Sequence, residues 1–426
     1  MSSTPSATDA PASAPREATV AATRALPNWF YAALAFGAVV RLFLLSATPG
    51  TLDVEVWQLH TMALGKKGLI DYYQGGALQF NHPPPVAIAM SGVAGFAKAT
   101  GLSFAACLRF PFVLFDLATV VLLLRWLQGS RHREWVAAAF WLHPLAVIYS
   151  AYHGNTDSAV ATFAVAGAMF ASRGNGALAG AMLGLGVWIK LPVVLAGPAL
   201  LLALPDKRET LRFCAVGGVV AIAGFAPALI MDARAVVDAV ILYPGLEIRT
   251  GSGITIWGLL NLLPDMESLS TSMRLSLIDL RAFVMQWNSA IAIGPVLLLA
   301  WLRRGDVPAN AATLGTTLAA GFALFYGFTN SWAFQYFAWS IPFWLLAPRW
   351  FALGASLFAS AYIYGLYAWL CGDPFLLGSW DFIGKPDWPG ALLAARNAAN
   401  AFFALSGIVF LVSAIRGSRA QQQNAG

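Results

Sequence analysis

Charge is what this chain of 426 residues has least of: Asp, Glu, Lys and Arg make up 11% of it, while 58% is hydrophobic. A soluble domain carries about twice that share of charge, so a water-soluble enzyme is excluded. Cysteine is almost as scarce. Cys107, Cys214 and Cys371 are too few and too scattered for a disulfide framework, and no CxxC or Cys/His cluster suggests zinc. Redox chemistry therefore has no foothold. No internal repeat of fixed period appears, which argues against a transporter built from inverted halves. The net charge of +6 is not a nucleic-acid footprint, because the Lys and Arg fall in short segments between apolar runs, where they report membrane orientation.

What is present is a succession of apolar stretches, many about the length needed to cross hydrocarbon. They predict an all-α polytopic membrane protein with about 12 transmembrane helices. Residues 1–28 are rich in Ser, Pro, Ala and Thr and read as a flexible cytoplasmic tail, with no removed signal before the first span at 29–47. A long first outer loop is expected over 48–102, containing an amphipathic piece around Trp57–Leu64 and a juxtamembrane helix at 84–97. If 84–97 spanned, Arg125, Arg131 and Arg133 would fall outside, against the positive-inside tendency. The first membrane module closes at 231, and a second runs over 232–415, with outer loops 232–282 and 371–389 and a cytoplasmic tail 416–426. The spans near 177–204 and 335–347 are short or broken by Pro, as half-helices around a cavity would be. Both termini are expected in the cytoplasm, and most of the 20 carboxylates on the outer face.

The chemistry should lie on that outer face. Asp53 and Glu55 follow the first span, and in an extended segment residues two apart point the same way. Two like charges at a membrane edge raise the pKa of one member, which would let a carboxylate act as a base or the pair hold a metal. The run His153–Ser158 (HGNTDS) offers a second cluster, with His153 and Asp157 four apart, Asn155 as an amide donor and Gly154 for close backbone approach. Helix capping by Asn155 or Asp157 is the plainer reading, though it needs neither the His nor the Gly. Lys190 interrupts an apolar stretch beside Pro192 and suits a lipid phosphate or passive snorkelling. Arg249 is a second candidate cation, or an ordinary loop charge. Arg109 and Asp116, two helical turns apart, suit pairing with neighbours for structure, though an intramembrane charge is a functional candidate by default. Gln335 and Tyr336 are the members of an aromatic-rich segment that could hydrogen-bond a ligand.

Taken in order, these fragments resemble the GT-C superfamily of integral-membrane glycosyltransferases. The resemblance is carried by Asp53 and Trp57 opening the first loop, Gly68, Tyr72 and Asn81-His82-Pro83-Pro84. It continues through Arg109, Pro111 and Asp116, His153-Gly154-Asn155 to Asp157, Lys190 before Pro192, Trp257-Gly258-Leu259, and Gln335-Tyr336-Phe337-Ala338-Trp339 with Pro342. The turn reads GNTD where many relatives carry Gln, so the sugar contact can differ. The fragments are most similar to mannosyltransferases that use polyprenyl-phosphate mannose, and the resemblance implies an inverting transfer at the outer face. A polyprenyl-phosphate sugar would be the donor, a glycan or lipid the acceptor, and the bacterial inner membrane the location. It casts Asp53 as base, with Glu55 and Asp157 orienting sugar or a divalent cation. Lys190 and Arg249 would receive the phosphate, while His153, Asn155, Gln335, Tyr336 and Arg109 would line the pocket. The rival from another class is a membrane transporter or lipid flippase, which would place its charges near mid-membrane.

Overall fold

The computed structural model describes residues 25–75, 80–243, 268–304, 310–329, 333–382, 384–385 and 388–425, apart from the side chains of Phe334 and 421–425. Among them every regular element is helical. The first is α1, Asn28–Ala47, whose 20 residues rise about 30 Å, the thickness of the hydrocarbon core. Then come α2 (Leu52–Lys67), α3 (Leu69–Gly75), α4 (Pro84–Thr100) and α5 (Phe104–Trp126). Helices α6 (Arg133–Trp141) and α7 (Pro144–Val147) follow, α7 running into a π-helical turn at Ile148–His153. Next are α8 (Asp157–Ser172), α9 (Gly176–Val187), a 3-10 turn at Leu191–Ala196, α10 (Gly197–Leu202) and α11 (Lys207–Val236). The last group is α12 (Thr271–Gln286), α13 (Asn288–Leu302), α14 (Ala311–Phe328), α15 (Ile341–Trp344), α16 (Arg349–Cys371) and α17 (Gly390–Ala425).

Six helices are long and apolar enough to cross a membrane, or up to eight if two bent pairs each count as one span. The expected count of twelve is therefore not reached among the described residues. The difference lies in short helices: α8 has 16 residues, and the remaining pieces are shorter or broken. Residues 177–189 and 192–204 form helices ending after 12 residues at Val187 and at Leu202, which rise about 18 Å where hydrocarbon needs about 30 Å. The stretch 335–347 is a six-residue 3-10 turn, Phe334–Trp339, followed by the four residues of α15. The apolar stretch 135–151 bends by 49° between α6 and α7, where Pro144 cannot continue the preceding helix. Helix α4, which covers the predicted juxtamembrane piece, is 17 residues long and is not one of the spanning candidates.

Buried contacts fix which ends of the helices lie together. Arg109, fully buried near the start of α5, donates to Thr48 O at 2.7 Å, Thr48 Oγ1 at 2.8 Å and Ala151 O at 3.0 Å, so the close of α1 and the π-turn meet there. At the other end of α5, Trp126 Nε1 donates to Ser172 Oγ at 2.8 Å and Arg173 to Arg125 O at 2.8 Å. Gly176 N donates to Glu209 Oε2 at 2.8 Å, which brings Lys207 and Arg208 to the same end. Halfway along, Arg41 pairs with Asp116 at 2.8 Å, donates to Trp141 O at 2.7 Å and lies over the Trp141 ring, binding α1, α5 and α6. Asp116 thus pairs with Arg41 rather than with Arg109.

Glycine permits the closest helix contact. At Gly176, Gly180 and Gly184, one per turn of α9, a Cβ would come within 2.0, 2.2 and 2.7 Å of backbone oxygens of α11. Small residues at this spacing let two backbones approach inside lipid, where packing rather than hydrophobicity holds helices together.

Candidate functional site

The loop between α1 and α2 meets the turn between the π-helix and α8 through two glycines and a valine. Gly50 (φ +88°) and Gly154 (φ +80°) both adopt the left-handed conformation. The Val54 side chain fills the space each leaves, within 2.7 Å of where a Cβ on Gly50 would sit and 2.6 Å on Gly154. Thr51 caps α2 by accepting from Asp53 N, and its hydroxyl donates to His153 O at 2.7 Å. That junction sets Asp53, in the first turn of α2, against the turn: Oδ2 accepts from the Asn155 amide at 2.6 Å and lies 3.2 Å from His153 Nε2. Burial pushes the Asp53 carboxyl up, but His153, the Asn155 amide and the Lys190 ammonium together outweigh it and hold the group below its ordinary value.

This overturns the sequence expectation at Glu55. Because α2 begins at Leu52, residues two apart diverge around the helix instead of sharing a face. Asp53 lines the cleft, whereas Glu55 is exposed and does not. The carboxyl of Asp53 is therefore lowered by its nitrogen partners His153, Asn155 and Lys190, not raised by a second acid. The trio Asp53, Glu55 and Asp157 does not converge, and among the described residues no group of three or more His, Cys, Asp and Glu is placed to hold a metal.

Asp157 opens α8 and is 1% exposed. Both its oxygens lie 3.0 Å from Lys190 Nζ, and Oδ1 also accepts from the Trp339 indole at 2.5 Å. Neither Asn155 nor Asp157 is the N-cap of α8; that position is Thr156, which makes no side-chain cap bond. His153 and Asp157 do not share a helix face, since α8 starts only at Asp157. Lys190 stands in extended backbone between α9 and the 3-10 turn, its ammonium 5.7 Å from the Tyr336 ring, which stacks on Trp339 at 4.2 Å.

These groups border a cavity of about 690 Å³. Asp53, Asn155, Lys190, Gln335 and Tyr336 line it, with Trp57, His60, Asn81, His82, Tyr243, Asn288 and Trp339. His153 does not: it is 2% exposed and stands behind Asp53. Arg109 is also away from the cavity, its donors spent on backbone and Thr48, so it is a clamp on the close of α1 rather than a ligand group. Arg249 lies outside the described residues. Burial keeps His60 and His82 largely neutral: His60 is held down to about 4, and His82 well below its ordinary value, with help from Lys190 and His60. Sequence reasoning did not select His60, His82 or the Trp339 indole. His82 sits in the Asn-His-Pro-Pro run already noted, but Trp339 looked like one more ring in an aromatic segment.

An anionic group entering the cavity would meet Lys190, and an alcohol could reach Asp53, whose Oδ1 accepts no hydrogen bond among the described residues. The model of glycosyltransferase family 87 matches residues 80–326, more than half of the chain. The match takes in Asn155, Asp157 and Lys190 but begins after Asp53. No curated protein matches the chain.

Proposed function

Since the chain belongs to glycosyltransferase family 87, whose members are GT-C-type membrane glycosyltransferases, we propose that it transfers a hexose, with mannose the first candidate, from a polyprenyl-phosphate donor to a lipid-linked or glycan acceptor. The acceptor oxygen attacks the anomeric carbon as its bond to phosphate breaks, so the configuration inverts. Asp53 takes the proton from the acceptor hydroxyl and Lys190 faces the departing phosphate. Asp157, itself held by the Trp339 indole, keeps Lys190 in place, while Asn155 fixes Asp53 and Gln335 and Tyr336 border the sugar. The observation that carries this reading is the placing of an ionised carboxylate and a tethered ammonium on one cavity. Its volume of about 690 Å³ falls within the usual range for small-molecule sites. A phosphate is already a good leaving group, so a base, a cation and an oriented sugar are the chief requirements.

The cavity is proposed to open on the outer face of the bacterial inner membrane, with both termini cytoplasmic. Support comes from the basic residues Arg125, Arg173, Lys207 and Arg208, which gather at the opposite end of the bundle. A transporter would bind substrate near mid-membrane, and family membership favours transfer over transport.

The test uses purified protein in lipid discs with a panel of radiolabelled polyprenyl-phosphate sugars and membrane extract. Wild type should move label to an acceptor, and Asp53→Asn should lower turnover by about 10²–10⁴ with insertion unchanged. Full turnover by Asp53→Asn would remove it as the base, and no transfer from any donor would sink the polyprenyl-phosphate reading.

A further inference from the structure

Behind Asp53, away from the cavity, stands a short chain of buried polar groups that the proposed reaction leaves unused. His153 Nδ1 lies 2.7 Å from the Tyr367 hydroxyl, near the end of α16, and Nε2 lies 3.2 Å from Asp53 Oδ2. Both residues are enclosed, His153 at 2% and Tyr367 at 0% exposure. The Thr51 hydroxyl is committed to the His153 carbonyl at 2.7 Å and is 3.5 Å from Nδ1.

The proton positions follow from satisfying these groups. Among the described residues the only hydrogen-bond partner of the Tyr367 hydroxyl is Nδ1, and a buried O–H without an acceptor is costly. Tyr367 must then donate, which requires Nδ1 to carry no proton. A neutral imidazole so arranged bears its proton on Nε2, facing the carboxylate. The opposite tautomer would strand the tyrosine proton and set a nitrogen lone pair against Oδ2. The Nε2 contact is oblique, short of hydrogen-bond alignment, so its effect is an electrostatic hold on the carboxylate.

We infer that His153 and Tyr367 are positioning residues for glycosyl transfer: Tyr367 locks the His153 tautomer, and the Nε2–H and the Asn155 amide together hold Oδ2 of Asp53, leaving Oδ1 as the oxygen that meets the acceptor. The inference rests on Asp53 being the base. It gives His153 a different task from lining the pocket, and it brings α16 into the reaction through a residue that touches no substrate. Orientation of this kind matters because misplacing a reacting group by about 1 Å can cost about a hundredfold in rate.

Two measurements on the full-length protein in lipid test it. Solid-state NMR with isotope-labelled histidine should show one imidazole with a protonated Nε2 and a bare Nδ1 that disappears in His153→Gln and loses its single tautomer in Tyr367→Phe. An Nδ1-protonated or doubly protonated His153 in wild type would overturn the lock whatever the donor proves to be. In the transfer assay, Tyr367→Phe should lower kcat about tenfold with the donor KM unchanged. His153→Gln, which keeps an N–H, should retain more activity than His153→Phe, and Tyr367→Phe should add nothing in the His153→Gln background. A wild-type kcat for Tyr367→Phe, with Asp53→Asn inactive, would refute the positioning role alone. Full activity of Asp53→Asn would instead remove the reading on which that role depends.

Discussion

Burial and partnership act in opposite senses on the ionisable groups of the cavity, and the balance differs from one residue to the next. At Asp53 the partners prevail and the carboxylate stays ionised; at His60 burial prevails and the ring stays neutral, its pKa down from 6.5 to about 4. The consequence for stability has a definite sign. Unfolded His60 binds a proton below about pH 6.5 whereas the folded residue does not until about pH 4, so the unfolded state takes up more protons between them. The stability contributed by neutral His60 is complete above that window and is lost as pH falls through it, and His82 acts in the same direction. The unfolding temperature in lipid should thus drop on acidification from about pH 7 to pH 5, and less steeply in His60→Gln. An equal drop in both proteins would exclude His60 as a source. Such balances were only half legible in the sequence. Asp53, Asn155 and Lys190 could be picked out as expensive residues near a membrane edge, but their partners are set by folding: Asn155 for Asp53, Asp157 for Lys190, Trp339 for Asp157, Arg41 for Asp116.

Among elements, the junction of Gly50, Val54 and Gly154 decides where α2 lies against the turn before α8. A side chain on Gly154 meets two penalties. The left-handed conformation costs about 1–2 kcal/mol for a residue with a Cβ, and that Cβ would sit 2.6 Å from Val54 Cγ2. Gly154→Ala should therefore shift Asp53 from Asn155 and lower transfer activity more than it lowers the unfolding temperature. Val54→Ala in the same chain should restore part of that activity by vacating the contact. No recovery would mean that the steric contact is not what positions the carboxylate. Nothing in the local pattern announced this junction, because the start of α2 at Leu52 was read as extended chain, which set Glu55 on the same side as Asp53. Hydropathy likewise suggested twelve spans where six to eight helices qualify among the described residues: it registers apolar residues but not where a helix stops, and α9 stops after 12 residues.

For the whole molecule, the membrane class was the most legible feature, since it depends on composition, and the direction proposed for the bundle rests on where Lys and Arg fall. The proposed orientation has a direct check. In a background lacking Cys107, Cys214 and Cys371, a membrane-impermeant thiol reagent should label Glu55→Cys on intact cells, and Arg304→Cys only after permeabilisation. Both positions are exposed, Glu55 near the cavity and Arg304 just beyond the end of α13, which starts at the cavity. The reverse labelling pattern would invert the topology. The long sequence separations within the site also order its biogenesis. Asp53 is synthesised 102 residues before Asn155, Asp157 182 residues before Trp339, and His153 214 residues before Tyr367. A nascent chain emerging from the ribosome therefore inserts its carboxylate early and its indole and phenol late. The centre is finished only when α16 is delivered, so premature termination anywhere upstream leaves an inserted but incomplete catalyst.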